Sequence, residues 1–176
     1  MQLSHRIALT GTALGVAGAI AAPAGAQSID VTVNIPRLKV AEYHKPYVAI
    51  WLEQAGGKAR TLSVWYDYDM KNNEGNKWLR DVRTWWRVSG RSMTFPADGI
   101  TGATRAPGPN KISFTNGTGA LGRLGPGQYT LVVEAAREVG GRELVRIPFA
   151  WPPKPGQAAS ATGRTELGAV SLTFRK

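Results

Sequence analysis

Gln128-Tyr-Thr-Leu-Val-Val-Glu-Ala-Ala136, then Gly140-Gly141, then Glu143-Leu-Val-Arg-Ile-Pro-Phe149: the reading of this stretch decides the fold. Two runs of strand length are rich in β-branched and aromatic residues, and the Gly-Gly pair between them supplies the freedom of a tight turn. The segment reads as a β-hairpin. Working outward, the same signal recurs. Ile29, Val31, Val33 and Ile35 alternate with polar residues and stop at Pro36, which is a strand with one buried face. Tyr47-Val-Ala-Ile-Trp-Leu52 and Thr61-Leu-Ser-Val-Trp-Tyr66, joined through Ala55-Gly-Gly57, predict a second hairpin. Lys111-Ile-Ser-Phe-Thr115 and Leu167-Gly-Ala-Val-Ser-Leu-Thr-Phe174 add two further strands. About seven strands with turn residues between them predict a mostly-β fold, an immunoglobulin-like antiparallel β-sandwich with one short inserted α-helix.

The insertion is Lys77-Trp-Leu-Arg-Asp-Val-Arg-Thr-Trp-Trp-Arg87, where the period changes from two to that of a helix. The spacing predicts a helix over 77–88 with Trp78, Val82 and Trp85 on the core and Arg80, Arg83 and Arg87 in water. Three tryptophans on one helix can stack a planar cofactor ring, but such a stripe is more often core packing. Asp67 to Asn76 is polar and turn-rich, and Trp151 to Thr162 is rich in Pro, Ala and Gly; both read as loops, the second as an exposed loop or a covering strap. No repeat or linker interrupts the chain, so residues 27–176 are expected to form a single domain.

Residues 1–26 read as a secretory signal peptide. Arg6, with His5, gives a positive start, Ile7 to Ala22 is an apolar run too short for a comfortable membrane span, and Ala24-Gly25-Ala26 is an A-x-A cleavage site. Cleavage after Ala26 leaves a chain beginning at Gln27, with no further membrane span and a periplasmic location. No Cys follows the apolar run, which excludes a lipoprotein anchor.

Composition narrows the chemistry further. The chain has no cysteine, which excludes disulfides, iron–sulfur clusters, thiolate metal sites and thioether-linked haem. Of its two histidines His5 leaves with the leader, so His44 stands alone, a surface residue at a strand entry. A hydrolase built on His44 would need a nucleophile motif, and the sequence carries none. A redox role would therefore require a borrowed cofactor. The formal charge of +10 falls to +9 once Arg6 is removed. Export argues against nucleic acid, which leaves an acidic protein partner, an anionic cofactor phosphate or plain solubility as the use of that charge.

One loop remains, Asp98-Gly-Ile-Thr101-Gly102-Ala103-Thr104. It resembles the acceptor motif on which periplasmic FMN transferases attach flavin, Asp-x-x-(Ser/Thr)-Gly-Ala-(Thr/Ser). The resemblance implies covalent FMN on Thr104 through a phosphoester bond. A threonine hydroxyl is a weak nucleophile until a base assists it, and the transferase would supply that base. Gly102 and Ala103 have almost no side chain, which gives the enzyme access, and Gly102 permits positive φ. Asp98 and Thr101 are of the types that hydrogen-bond to nearby backbone and hold a turn. Arg105 is a candidate neighbour of the flavin phosphate, and Arg80, Arg83 or Arg87 for the phosphate or the pyrimidine edge.

A second likeness covers nearly the whole mature chain. Tyr47-Val-Ala-Ile-Trp, Lys77-Trp-Leu-Arg-Asp, Thr84-Trp-Trp-Arg, Gly127-Gln-Tyr-Thr-Leu-Val-Val-Glu-Ala-Ala-Arg-Glu138 and Arg142-Glu-Leu-Val-Arg-Ile-Pro-Phe149 are similar to the periplasmic family of unknown function numbered twenty-two seventy-one. That resemblance implies an accessory of membrane PepSY-type reductases and of a periplasmic FMN transferase, an electron-transfer flavoprotein rather than a stand-alone enzyme. The competing expectation is a non-redox β-sandwich that scaffolds a membrane complex or binds a ligand as its accessory subunit.

Overall fold

The structure is a computed structural model and describes residues 27–176; the leader assigned to 1–26 lies outside the described residues. Nine strands and one α-helix follow in chain order: β1 (Ser28–Ile35), β2 (Tyr47–Glu53), β3 (Arg60–Trp65), α1 (Arg83–Val88), β4 (Thr101–Gly102), β5 (Gly108–Thr115), β6 (Gly127–Ala136), β7 (Arg142–Trp151), β8 (Ala158–Thr162) and β9 (Ala169–Arg175). They form two sheets, ordered β5-β1-β9-β8 and β4-β3-β2-β6-β7. The chain alternates between the two as a β-sandwich requires. It leaves β1 for the β2–β3 hairpin, returns to pair β5 with β1, and crosses again to place β6 beside β2. The β6–β7 hairpin pairs from Gly127↔Trp151 to Ala136↔Arg142, as its turn residues foretell.

The core between the sheets holds Ile29, Val31, Val33 and Ile35 of β1 against Val48, Ile50 and Leu52 of β2 and Leu131, Val133 and Ala135 of β6. Period-two alternation therefore selects the buried face of β1. In β2 the apolar run is continuous because both faces are covered: Tyr47, Ala49 and Trp51 point away from the sandwich into a second core with Val64, Tyr66, Leu79, Val82 and Trp85. The helical insertion is thus a lid on the outer face of the five-stranded sheet. A bulge opposite Ile50 and Trp51 shifts the register of β3, so that Leu62 and Trp65 share the inner core while Val64 and Tyr66 join the outer one.

Several expectations are corrected. Two strands are added to the seven. β8 arises inside the stretch expected to be a loop or strap, where Ala and Ser alternate exposed and half-buried against β9. β4 pairs in parallel with β3, so the second sheet is mixed rather than purely antiparallel. The helix over 77–88 is also two pieces. A 3₁₀ segment runs Lys71–Asp81 and α1 begins at Arg83, with Val82 (φ −77°, ψ 68°) as the break between them. Ahead of that break the 3₁₀ turn holds three residues rather than 3.6, so the phase differs from the α-helical expectation. Leu79, Val82 and Trp85 are buried, and Trp78, expected in the core, is 44 % exposed. Arg80, Arg83 and Arg87 face water as expected.

No local side chain caps α1. The carboxylate of Glu134, fully buried in β6, does so instead, accepting the N–H groups of Thr84 (3.1 Å) and Trp85 (2.8 Å) and pairing with Arg142 at 2.7 Å. A negative group at the helix start satisfies N–H groups that have no intrahelical partner and complements the helix dipole. Glu134→Ala leaves the buried N–H of Trp85 and the half-buried N–H of Thr84 without acceptors. It is expected to destabilise the domain by about 3 kcal/mol, read as a lower urea midpoint at unchanged slope.

On the outer face of the other sheet, Asp30 accepts from Arg175 at 2.7 and 2.8 Å, from Ser113 at 2.7 Å, and lies 3.0 Å from Lys111. The Arg175 guanidinium holds the Asp30 carboxyl well below the usual carboxylate range, with Ser113 and Lys111 adding to it against the cost of burial. A depressed carboxylate contributes stability that is present above its unfolded pKa and is lost as pH falls through the folded one. The domain is therefore expected to weaken progressively below about pH 4. Asp30→Asn should flatten that acid limb, which urea midpoints measured against pH will show.

Candidate functional site

The Thr101–Thr104 stretch lies at the edge of the five-stranded sheet. Val64 pairs with Thr101 and Trp65 with Gly102, secured by Val64 N–H to the Ile100 carbonyl and Tyr66 N–H to the Gly102 carbonyl, both 2.9 Å. Both pairs are 37 positions apart, and so are Asp67 and Thr104. Continuing the parallel register by two residues sets Asp67 opposite Thr104, and the Thr104 hydroxyl donates to Asp67 Oδ1 at 2.9 Å. Thr104 is half-buried, Ala103 beside it is exposed, and β4 is an edge strand with no neighbour on its far side.

The turn ahead of Thr104 is built differently from the expectation. Thr101 does hold it: its Oγ1 accepts the Ala97 N–H at 2.8 Å, and the Ala97 carbonyl accepts the N–H groups of Ile100 and Thr101. Asp98 does not. Its exposed carboxylate makes no side-chain hydrogen bond among the described residues, because Thr101 already closes the turn and leaves Asp98 at its corner in solvent. The positive φ falls on Gly99, at 69°, and not on Gly102. Gly102 is extended and is small for another reason, since a Cβ there would stand 3.1 Å from Cδ1 of Trp65. Arg105 sets its guanidinium over the Trp65 ring, 5.3 Å from the centroid, a cation–π contact. Trp65 Nε1 is buried beside this contact without a hydrogen-bond partner.

Asp67 is the residue that sequence reasoning missed. It sits in what reads as a plain polar loop, and no local spacing pairs it with Thr104. Gly75 fixes its backbone: a Cβ there would collide with the Asp67 carbonyl and stand 2.8 Å from its carbon, so only glycine lets the two segments pack. Asp67 also forms part of a cavity of about 280 Å³, whose wall includes Tyr47, Met70, Trp78, His44 and Lys45. Burial, with the Asp67 charge adding to it, pushes the Tyr47 phenol up to about 12, so it stays neutral. His44 contacts Glu42 (3.3 Å) and Glu138 (3.4 Å), a partly exposed residue of the cavity rim. None of Arg80, Arg83 or Arg87 lines this cavity.

The family model described as "Predicted periplasmic protein (DUF2271)" matches residues 28–169, nearly all of the described domain. The chain belongs to this family. The DUF2271 assignment gives the compartment as the periplasm, in agreement with the leader. No curated protein and no solved structure matches the chain. No described helix of this DUF2271 domain is long and apolar enough to cross a membrane.

Proposed function

We propose that this protein is a periplasmic flavoprotein that carries FMN covalently on Thr104 and works in extracytoplasmic electron transfer, with a periplasmic FMN transferase as its modifying enzyme and a membrane PepSY-type reductase as redox partner. The observation that carries the reading is the Thr104 hydroxyl, half-buried on an edge strand and hydrogen-bonded at 2.9 Å to a carboxylate. These residues fit the attachment chemistry. A hydroxyl that donates a hydrogen bond to a carboxylate carries more negative charge on its oxygen than one that donates to water. Attachment would join Thr104 Oγ1 to the flavin phosphorus of a flavin dinucleotide as the pyrophosphate bond breaks, with the nucleoside monophosphate leaving with the electron pair and the hydroxyl proton passing to the transferase's base. Ala103 and the free edge of β4 give an enzyme access to the loop. Once bound, the flavin supplies reversible one- and two-electron chemistry that the protein's own side chains lack.

Arg105 serves this site by fixing the loop: its guanidinium over Trp65 pins the chain one residue beyond Thr104. The test is the intact mass of wild-type protein co-produced with an active FMN transferase. One added FMN and a fluorescent band after denaturation are expected. An unmodified mass defeats the reading and leaves a non-redox accessory sandwich in its place.

A further inference from the structure

We propose that the isoalloxazine ring of flavin esterified to Thr104 docks in the groove between Tyr47, Met70 and Trp78, with Asp67 as the wall shared by the groove and the attachment point. The inference rests on the attachment reading and adds where the ring goes. Asp67 accepts the Thr104 hydroxyl through Oδ1 and lines the groove at the same time, so the tether begins at the groove's edge. The cavity, about 280 Å³, falls just short of the usual range of small-ligand pockets, roughly 300 Å³ upward, and so suits a ring system rather than a whole dinucleotide.

Its lining offers an indole and a thioether to the faces of a planar ring, and a charged rim of Lys45, Arg137, Glu74, Asp81 and Glu138 to its polar edge. Trp78 and Met70, 44 % and 40 % exposed, are two of the few large apolar side chains left to solvent among the described residues, and both border this one cavity. A soluble domain gains nothing from exposing an indole and a thioether on one groove unless something covers them. Indole stacks on aromatic faces, and a thioether packs well against a ring edge. The neutral Tyr47 phenol can donate a hydrogen bond to the ring's carbonyl edge, and Lys45 lies in the same lining as a cationic donor. The 3₁₀ turn accounts for the placement: at three residues per turn Leu79 rather than Trp78 falls in line with Val82 and Trp85, and the indole is left free to border the groove.

The experiment uses full-length protein co-produced with its transferase and compares flavin emission before and after denaturation, with intact mass on the same sample. A docked ring beside an indole is quenched. Native wild-type emission should therefore lie several-fold below that of the denatured protein, and Trp78→Ala should raise the native signal several-fold. Met70→Ala should weaken the visible circular dichroism of the bound flavin, an independent reading of the same contact. Val88→Ala, at an exposed apolar residue outside this groove, should change neither. A protein that carries flavin by mass, but whose native emission matches the denatured value and ignores Trp78→Ala, has its ring in solvent; that result overturns the docking and leaves attachment standing. A wild-type mass without flavin overturns both.

Discussion

Thr104→Ala should abolish flavin incorporation altogether: intact mass after co-production with an active transferase should show the unmodified chain, and the denatured band should not fluoresce. The reason is stoichiometric. The phosphoester needs one oxygen, and alanine has none. The fold should be unaffected, because the hydroxyl's one structural bond, to Asp67, lies at a half-buried edge and its loss is worth only about 1 kcal/mol. Thr104→Ser keeps the oxygen and should retain flavin. Asp98→Ala should slow modification without unfolding the domain. The Asp98 side chain is exposed and makes no hydrogen bond to the turn among the described residues, so the slowing is expected to come through the transferase rather than through the fold. Flavin on Thr104→Ala protein would move the attachment elsewhere and sink the assignment.

The second large effect is on the fold. Val82→Asp should unfold the domain or destabilise it by more than about 4 kcal/mol, since it buries a charge with nothing to pair it. Val82 is fully buried between Leu79 and Trp85 in the outer core, at the point where the 3₁₀ segment gives way to α1. That loss is comparable with the whole stability of a typical domain, about 5–15 kcal/mol. Loss of cooperative unfolding by circular dichroism is the expected result. A variant with a wild-type urea midpoint would mean that the outer core does not stabilise the sandwich.

Sequence by itself determined seven of the nine strands and which face of β1 is buried, because a strand's side chains alternate strictly and the alternation of Ile29, Val31, Val33 and Ile35 is written in the chain. It also determined the β6–β7 hairpin and the burial of Val82 and Trp85. Each is a local property, carried by neighbours within a few residues. Tertiary structure alone decided what joins distant segments. Glu134 caps α1 from 49 positions away, and Asp67 meets Thr104 across 37. Neither pairing leaves a trace in local spacing: the first comes from packing α1 on the outer face of the sheet, the second from sheet register, and the two-residue β4 that sets the second is too short to show a period. The fate of Trp78 has the same cause. Helical periodicity assumes an unbroken α-helix, and the 3₁₀ segment that ends before Val82 puts Leu79 rather than Trp78 on the buried stripe, leaving the indole at the rim of a groove beside Asp67.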